Sequence, residues 1–183
     1  NIQISTSEGS DVGAIESVLG NSKIASKPGG GNWANDFGLA NPETIGVCVD
    51  TKNEKIYWFI ASDSVSAIAE FDTTTGYIYP ILVDTNNILN FSTDYLITGV
   101  NIIDKFLFWT DDQSEPKRIN IDKFKAGSCN WVTHTKIPNW LPNEDRYIQV
   151  DCTSLSGYDN FTEEDITVIK KSPLKAPVLD MKT

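Results

Sequence analysis

Apolar and polar positions alternate through the middle of the chain, and they do so twice in one pattern. The run Lys55-Ile-Tyr-Trp-Phe-Ile-Ala61 follows Gly46-Val-Cys-Val-Asp50 and precedes Ile68-Ala-Glu-Phe-Asp72. The run Lys105-Phe-Leu-Phe-Trp-Thr-Asp111 follows Gly99-Val-Asn-Ile-Ile-Asp104 and precedes Arg118-Ile-Asn-Ile-Asp122. Each copy reads as strand, short turn, aromatic strand, polar turn and a strand ending in Asp. Successive strand residues point to opposite faces, so a Tyr-Trp-Phe run puts rings on both sides of a sheet. A sheet needs that only where both faces are covered, as in blades stacked around an axis. Strand-built repeats of roughly 40–50 residues point to a propeller or related array, and the spacing of these copies is slightly long for one. The fold class is therefore read as all-β, with antiparallel, propeller-like blades. Two similar hairpins in an ordinary antiparallel sandwich are the alternative. Trp58 and Trp109 are expected at matching, mostly buried places. Two units cannot close a ring, so further blades are expected from the same polypeptide or from a neighbouring chain.

The same pattern sets the expected organisation. Residues 45–83 form the first unit and 97–122 the second, within a β-propeller-like domain spanning 1–170. Thr51-Lys-Asn-Glu54 and Asp72-Thr-Thr-Thr-Gly76 read as turns, with Gly76 free to take positive φ. Tyr77-Ile-Tyr-Pro-Ile-Leu-Val83 supplies a fourth strand. Pro80 lacks an N–H, which assigns that strand to an outer edge or to a bulge. Val12 to Leu19 reads as a strand pair or a weak helix, and Gly29-Gly-Gly31 as a hinge or a close backbone approach. Residues 123–150 break the repeat. Thr162-Glu-Glu-Asp165 reads as a single helical turn capped by Thr162, followed by a strand at Ile166-Thr-Val-Ile-Lys170. Residues 171–183, with Pro173 and Pro177, read as a linker to a further domain. Asn1-Ile-Gln-Ile4 reads like the middle of a strand, so the chain is expected to belong to a larger multidomain protein.

Composition narrows the function classes. The 183 residues are 40% hydrophobic and 10% aromatic, enough for a core, and no apolar run is long enough to span a membrane. A net charge of −10 argues against a gripping nucleic-acid surface, which needs clustered Lys and Arg. It leaves room for a surface that nucleic acid passes without sticking. Cys48, Cys129 and Cys152 show no metal or redox spacing. Cys129 and Cys152 can pair, but an odd count favours reduced, structural thiols, with Cys48 a small strand residue of the core.

Candidate chemistry is sparse. His134 is the single histidine, in a loop rich in Trp and Pro with no nucleophile pattern beside it, and is read as structural. Asp111, Asp112 and Glu115 offer oxygen ligands for a hard cation but lack calcium-loop spacing, so a solvated turn is preferred. No catalytic, cofactor or metal residues are assigned. Trp131 and Trp140 are interface candidates or caps on the domain's own core, two readings of equal standing. The acidic turn of Asp111, Asp112 and Glu115 is long enough to reach a partner and is the other interface candidate.

Tyr57-Trp58, and Phe108-Trp-Thr-Asp111 before Arg118-Ile-Asn-Ile-Asp122, resemble YWTD-type propeller blades. A wider set covers nearly the whole chain: Asn1-Ile-Gln-Ile4 with Gly13-Ala-Ile-Glu-Ser-Val-Leu-Gly-Asn21, Phe108-Trp-Thr-Asp-Asp112 with Glu115-Pro-Lys-Arg-Ile-Asn120, and Glu164-Asp-Ile-Thr-Val-Ile-Lys-Lys-Ser-Pro173. This set resembles the tail stabilisation or nozzle (muzzle) proteins of crAss-like and related podoviral bacteriophages. The resemblance implies a non-enzymatic structural part of the virion tail, assembled in the bacterial host cytoplasm. It implies copies in a hexameric ring, neighbouring tail proteins as partners, and genomic DNA in transit through the channel. An acidic wall there would repel phosphate, and Asp111, Asp112 and Glu115 are the residues that would supply it; solubility on an outer surface is the reading of equal standing for these acids. An extracellular carbohydrate- or protein-binding propeller is the runner-up, and a propeller hydrolase with acids at the ring mouth a third reading.

Overall fold

A computed structural model of the chain describes residues 2–5, 14–17 and 37–169. Near the N-terminus β1 (Ile2–Ser5) pairs antiparallel with β2 (Ala14–Ser17), so the described part of the expected strand pair or weak helix is one strand. The triple-glycine stretch and the expected linker 171–183 lie outside the described residues. The all-β expectation stands: antiparallel strands in sheets carry the described residues, with two short helices between them.

The first repeat is a four-stranded meander in sequence order, β3 (Glu43–Asp50), β4 (Lys55–Ala61), β5 (Ser66–Asp72) and β6 (Tyr77–Asp84). Its turns are held by the aspartates that end its strands. Asp50 Oδ1 accepts from the N–H groups of Lys52 and Asn53, and Asp72 Oδ1 from those of Thr74 and Thr75. Gly76 takes φ +71, the left-handed region that costs glycine nothing. Pro80 sits on the edge strand, and the ladder to β5 skips Ile81 beside it, so both devices expected for that proline occur together. The outer edge of β6 is covered. Thr135 N–H donates to Val83 O at 2.9 Å, Val83 N–H donates to Thr135 Oγ1 at 2.8 Å, and Ser128 Oγ–H donates to Ile81 O.

The second repeat has three strands, β7 (Gly99–Ile103), β8 (Phe106–Thr110) and β9 (Lys117–Asn120). The expected strand through Asp122 stops short. Asn120 Oδ1 accepts from Lys123 N–H at 3.0 Å, caps a helix, and so diverts the chain into α1 (Ile121–Gly127). This helix packs on β6 with Phe124 and Ala126 buried. At its end Gly127 meets the following loop so closely that an added Cβ would lie 1.9 Å from Lys136 O. The Thr162-capped turn is present as α2 (Glu163–Ile166), with Asp165 Oδ2 accepting from Thr162 N–H. The strand expected from Ile166 shrinks to one bridge, Thr167 to Lys117. Ile166 is still the last residue of the helix, so pairing begins only at Thr167.

The two sheets match in register. Lys55 pairs with Asp72 and Phe106 with Asn120; Trp58 lies between Val47 and Ala69, Trp109 between Val100 and Lys117. Beyond the strand ends, Thr73 N–H donates to Glu54 O and Ile121 N–H to Lys105 O, the same bond in each unit. Trp58 and Trp109 thus occupy matching register positions, as expected, but their burial differs. Trp109 is 1% exposed, whereas Trp58 is half-buried. The reason is which face meets the other sheet. The main core joins Tyr57, Phe59 and Ile68 of the first sheet to Leu107, Trp109 and Ile119 of the second, with the Phe59 and Trp109 rings 5.6 Å apart. Tyr57 is one position from Trp58 and points the opposite way. Unlike faces of the two repeats are therefore joined, and the sheets stack head to tail. They do not close into a ring among the described residues. A second cluster packs Phe37, Leu39 and Trp131 on Ile60, Ala67 and Ala69, across the first sheet.

The expected reduced thiols are a correction. Cys129 and Cys152 form a disulfide, with Cα atoms 5.5 Å apart, and Cys48 is the cysteine left over, half-buried on β3. Val150 N–H donates to Ala126 O at 2.9 Å, which brings the chain back beside the end of α1 and places the two thiols in bonding range. The bridge closes the segment that carries β10 (Trp140–Leu141) and β11 (Arg146–Tyr147). Reduction, or Cys152→Ser, is expected to lower unfolding stability by about 3 kcal/mol, from the loop-closure entropy returned to the unfolded chain. Denaturant curves with and without dithiothreitol check this, and coincident curves would show that the bridge contributes nothing.

Candidate functional site

The sequence candidates separate into three places. Trp131 is a core residue: it is 8% exposed and its ring lies 4.3 Å from that of Phe37. The interface half of its double reading is thereby corrected, because the loop folds this ring inward over the first sheet. Trp140 is not sealed into the core. It is 44% exposed at the start of the β10–β11 hairpin and meets Tyr147 edge to face, 4.7 Å between centroids. Arg146 and Glu144 pair beside it, both exposed. The hairpin presents an aromatic pair beside a polar tip, and Ile148 N–H donates to Asn139 O at its base.

The acidic turn joins β8 to β9. Asp111 is turned inward on its own loop: its Oδ1 accepts from Gln113 N–H at 3.0 Å and from Ser114 N–H at 2.8 Å, and the Ser114 hydroxyl also bonds the carboxylate. Burial opposes its charge, but these hydrogen bonds and Lys117 outweigh that and hold its carboxyl below the usual range. Lys117 is buried and its ammonium donates to Ser114 Oγ, closing the turn from beneath. Asp112 and Glu115 are exposed, and Asp112 has φ +58. Asp111 therefore shapes the turn, and Asp112 and Glu115 present its charge. Among the described residues no three His, Cys, Asp or Glu side chains converge as a metal site.

His134 is buried and stacked parallel on Phe161, 4.4 Å between ring centroids. Thr85 N–H donates to Nδ1 at 3.2 Å, which assigns the proton to Nε2, and Nε2–H donates to Phe161 O. Asp84 Oδ1 lies 3.6 Å from Nδ1, but that carboxylate is already held by the N–H groups of Asn86 and Leu89. Both ring nitrogens are thus committed to joining the end of β6 to the chain before α2. Burial pushes the His134 pKa below its usual value, against the opposing pull of Phe161 O and Asp84. The unfolded chain then binds the proton first, so stability is full above about pH 6.5 and falls as pH drops below that value. Denaturation of wild type and His134→Gln between neutral and mildly acid pH should show the wild-type slope flattened in the variant. A slope of the opposite sign would contradict a neutral, buried imidazole.

One buried polar cluster escaped the sequence reading. Glu70 on β5 is fully buried. Its Oε2 accepts from Tyr57 O–H at 3.0 Å, and its Oε1 receives Lys55 Nζ at 3.0 Å and Lys125 Nζ at 2.5 Å. The Lys125 ammonium also stands 4.2 Å over the Tyr79 ring. Burial, then the Glu70 charge, drives the Tyr57 pKa far above its normal value, so the phenol stays a donor. Strand alternation was the available signal: Glu70 shares a face with Ile68, which is fully buried. The partner from α1 was not legible, because Lys125 lies in the stretch 123–150 that reads as a break in the repeat, with no helix signal.

Comparison of the chain with protein-family models, with curated proteins and with solved structures finds no match.

Proposed function

We propose that this protein is a structural, non-enzymatic component of a bacteriophage short-tail nozzle, built from propeller-like blades and assembled with copies of itself and neighbouring tail proteins. The observation that carries the reading is the head-to-tail stacking of two register-matched sheets, with Trp109 sealed between them. Such stacking makes a rigid wall from repeated units. It supports the role already implied by the resemblance of Phe108-Trp-Thr-Asp-Asp112 and Glu115-Pro-Lys-Arg-Ile-Asn120 to nozzle proteins. In that setting the exposed acids Asp112 and Glu115 face the channel and keep DNA from adhering, acting over roughly 8–10 Å at physiological salt. The decisive experiment is the mass, symmetry and position of the native assembly in purified particles. A hexameric ring at the distal tail is expected. Absence from the particle would overturn the reading, and an acidic turn pointing away from the axis would remove the repulsion role.

A second reading, an extracellular binding propeller, is favoured by the Cys129–Cys152 disulfide, since such bonds persist in oxidising surroundings. Exposed Trp140, with half-buried Tyr147 against it, is its natural contact surface. Free-thiol titration of protein taken from particles and from the host cytoplasm separates the two: a bridge formed only after release fits the virion reading.

A further inference from the structure

We propose that a second copy of this chain seats its β10–β11 hairpin, led by Trp140, in a groove on the Phe108 face of the second sheet. The groove holds about 250 Å³ and is lined by Gly99, Asn101, Phe108, Thr110 and Pro116. An apolar cavity of roughly 150 Å³ already takes up a benzene ring. Gly99 and Thr110 open it. A Cβ on Gly99 would lie 2.5 Å from Thr110 Oγ1. Thr110 stands where Phe59 does in the first sheet, and Gly99 where Gly46 does. In the first sheet a Cβ on Gly46 would lie 3.3 Å from the Phe59 ring, and that ring receives Trp109, 5.6 Å between centroids. The second sheet thus repeats the face that takes a tryptophan inside the molecule, with the smaller Thr110 leaving room for a ring it does not supply.

The outer face of the first sheet is covered by Phe37, Leu39 and Trp131, but the Phe108 face is open. Ile103 is 54% exposed, and Asn101, Thr110, Pro116 and Arg118 are exposed beside it. The Arg118 guanidinium lies 5.4 Å over the Phe106 ring and makes no ion pair among the described residues. What this face lacks is an aromatic ring with a carboxylate beside it. The hairpin carries both: Trp140 is 44% exposed, and the turn that follows it holds Glu144 and Asp145, both exposed, against the single cation Arg146. The hairpin and the groove lie at opposite ends of the second sheet. β11 packs on α1, which begins beside Asn120, the partner of Phe106 at the turn end of the ladder. Gly99 and Thr110 are the pair at the other end, four strand steps or about 13 Å away. Trp140 of the same chain therefore stands clear of its own groove, and a neighbour's can fill it. Such a contact is heterologous, and it closes into a ring where the rotation between copies divides the circle. The six-copy ring expected of the proposed function is one such closure, and the contact itself requires no place in a virion.

The test is sedimentation equilibrium of the full chain and of two variants at exposed side chains, Trp140→Ala and Arg118→Glu. Unchanged circular dichroism and thermal transitions confirm that the variants fold. Wild type is expected to associate. Loss of a seated indole should weaken the contact at least about thirtyfold, as for an interface hot spot, and reversal of Arg118 should leave monomers at concentrations where wild type assembles. An equimolar mixture of the two variants is expected to form a 1:1 dimer, because Trp140→Ala keeps the groove and Arg118→Glu keeps the hairpin. A monomeric wild type, an assembly indifferent to either substitution, or a mixture that fails to pair would each overturn the contact. Presence in purified particles is measured separately, so the contact and the virion reading fail independently.

Discussion

Replacing Trp109 by alanine is expected to lower the unfolding free energy by about 3–5 kcal/mol, the range for removing a large aromatic from a closed core. The ring is 1% exposed and lies where the two sheets meet, against Phe59. A closed aromatic site of that kind cannot collapse without pulling one sheet towards the other, so most of the cavity should remain. The indole N–H adds a second effect. It is buried and finds no acceptor among the described residues, and an orphaned donor of this kind costs about 1–3 kcal/mol. Trp109→Phe removes that cost while keeping a ring, so it should be markedly milder than the alanine variant. Trp58→Ala, at the equivalent register position but half-buried, should also cost less. Urea denaturation with a constant slope measures all three. An alanine penalty below about 1 kcal/mol would place the ring outside the core.

That ordering of Trp109 over Trp58 marks the limit of what the sequence tells. Period-two alternation and the doubled aromatic run were enough to find both meanders, their turns and the edge position of Pro80. They matched the two tryptophans in register, because Lys55 and Phe106 each stand one residue past the hairpin turn. They could not tell which face of a repeat meets its neighbour, since that depends on how the sheets stack. The second unit misled for a local reason: Ile-Asn-Ile alternates like a strand, but Asn120 competes with the ladder by capping α1. Cysteine parity misled too, because one residue left over, Cys48, says nothing about whether the other two are brought together. Of the interface candidates, Trp140, Asp112 and Glu115 are exposed, while Trp131 and Asp111 serve the fold itself. An aromatic loop and an acidic turn look the same in sequence whichever way their side chains fold.

Glu70→Ala is expected to cost about 3 kcal/mol or more, the lower part of the range for stripping one partner from a buried ion pair. The carboxylate is wholly buried and serves three donors: Tyr57 O–H, Lys55 Nζ and Lys125 Nζ. Its removal leaves the Tyr57 hydroxyl, in a residue 2% exposed, without an acceptor. The two ammonium groups suffer less. The Lys55 and Lys125 side chains are 25% and 32% exposed and can turn towards water, which limits the penalty. Glu70→Gln keeps an acceptor for Tyr57 and loses only the charge, so its cost should lie near 1–3 kcal/mol. The consequence is also spatial. Lys125 is the charged tie between α1 and the first sheet, beside the packing of the helix on β6, and α1 stands where the second repeat would otherwise continue as strand. Amide exchange in Ile121–Gly127 should therefore quicken in Glu70→Ala well before that of β4 and β5 does. A double-mutant cycle with Tyr57→Phe isolates the phenol, and coupling of at least about 1 kcal/mol is expected for a hydrogen bond to a buried charge. Exchange that rises evenly across the molecule, with no coupling to Tyr57, would mean that Glu70 only fills space in the core and does not hold the helix to the sheet.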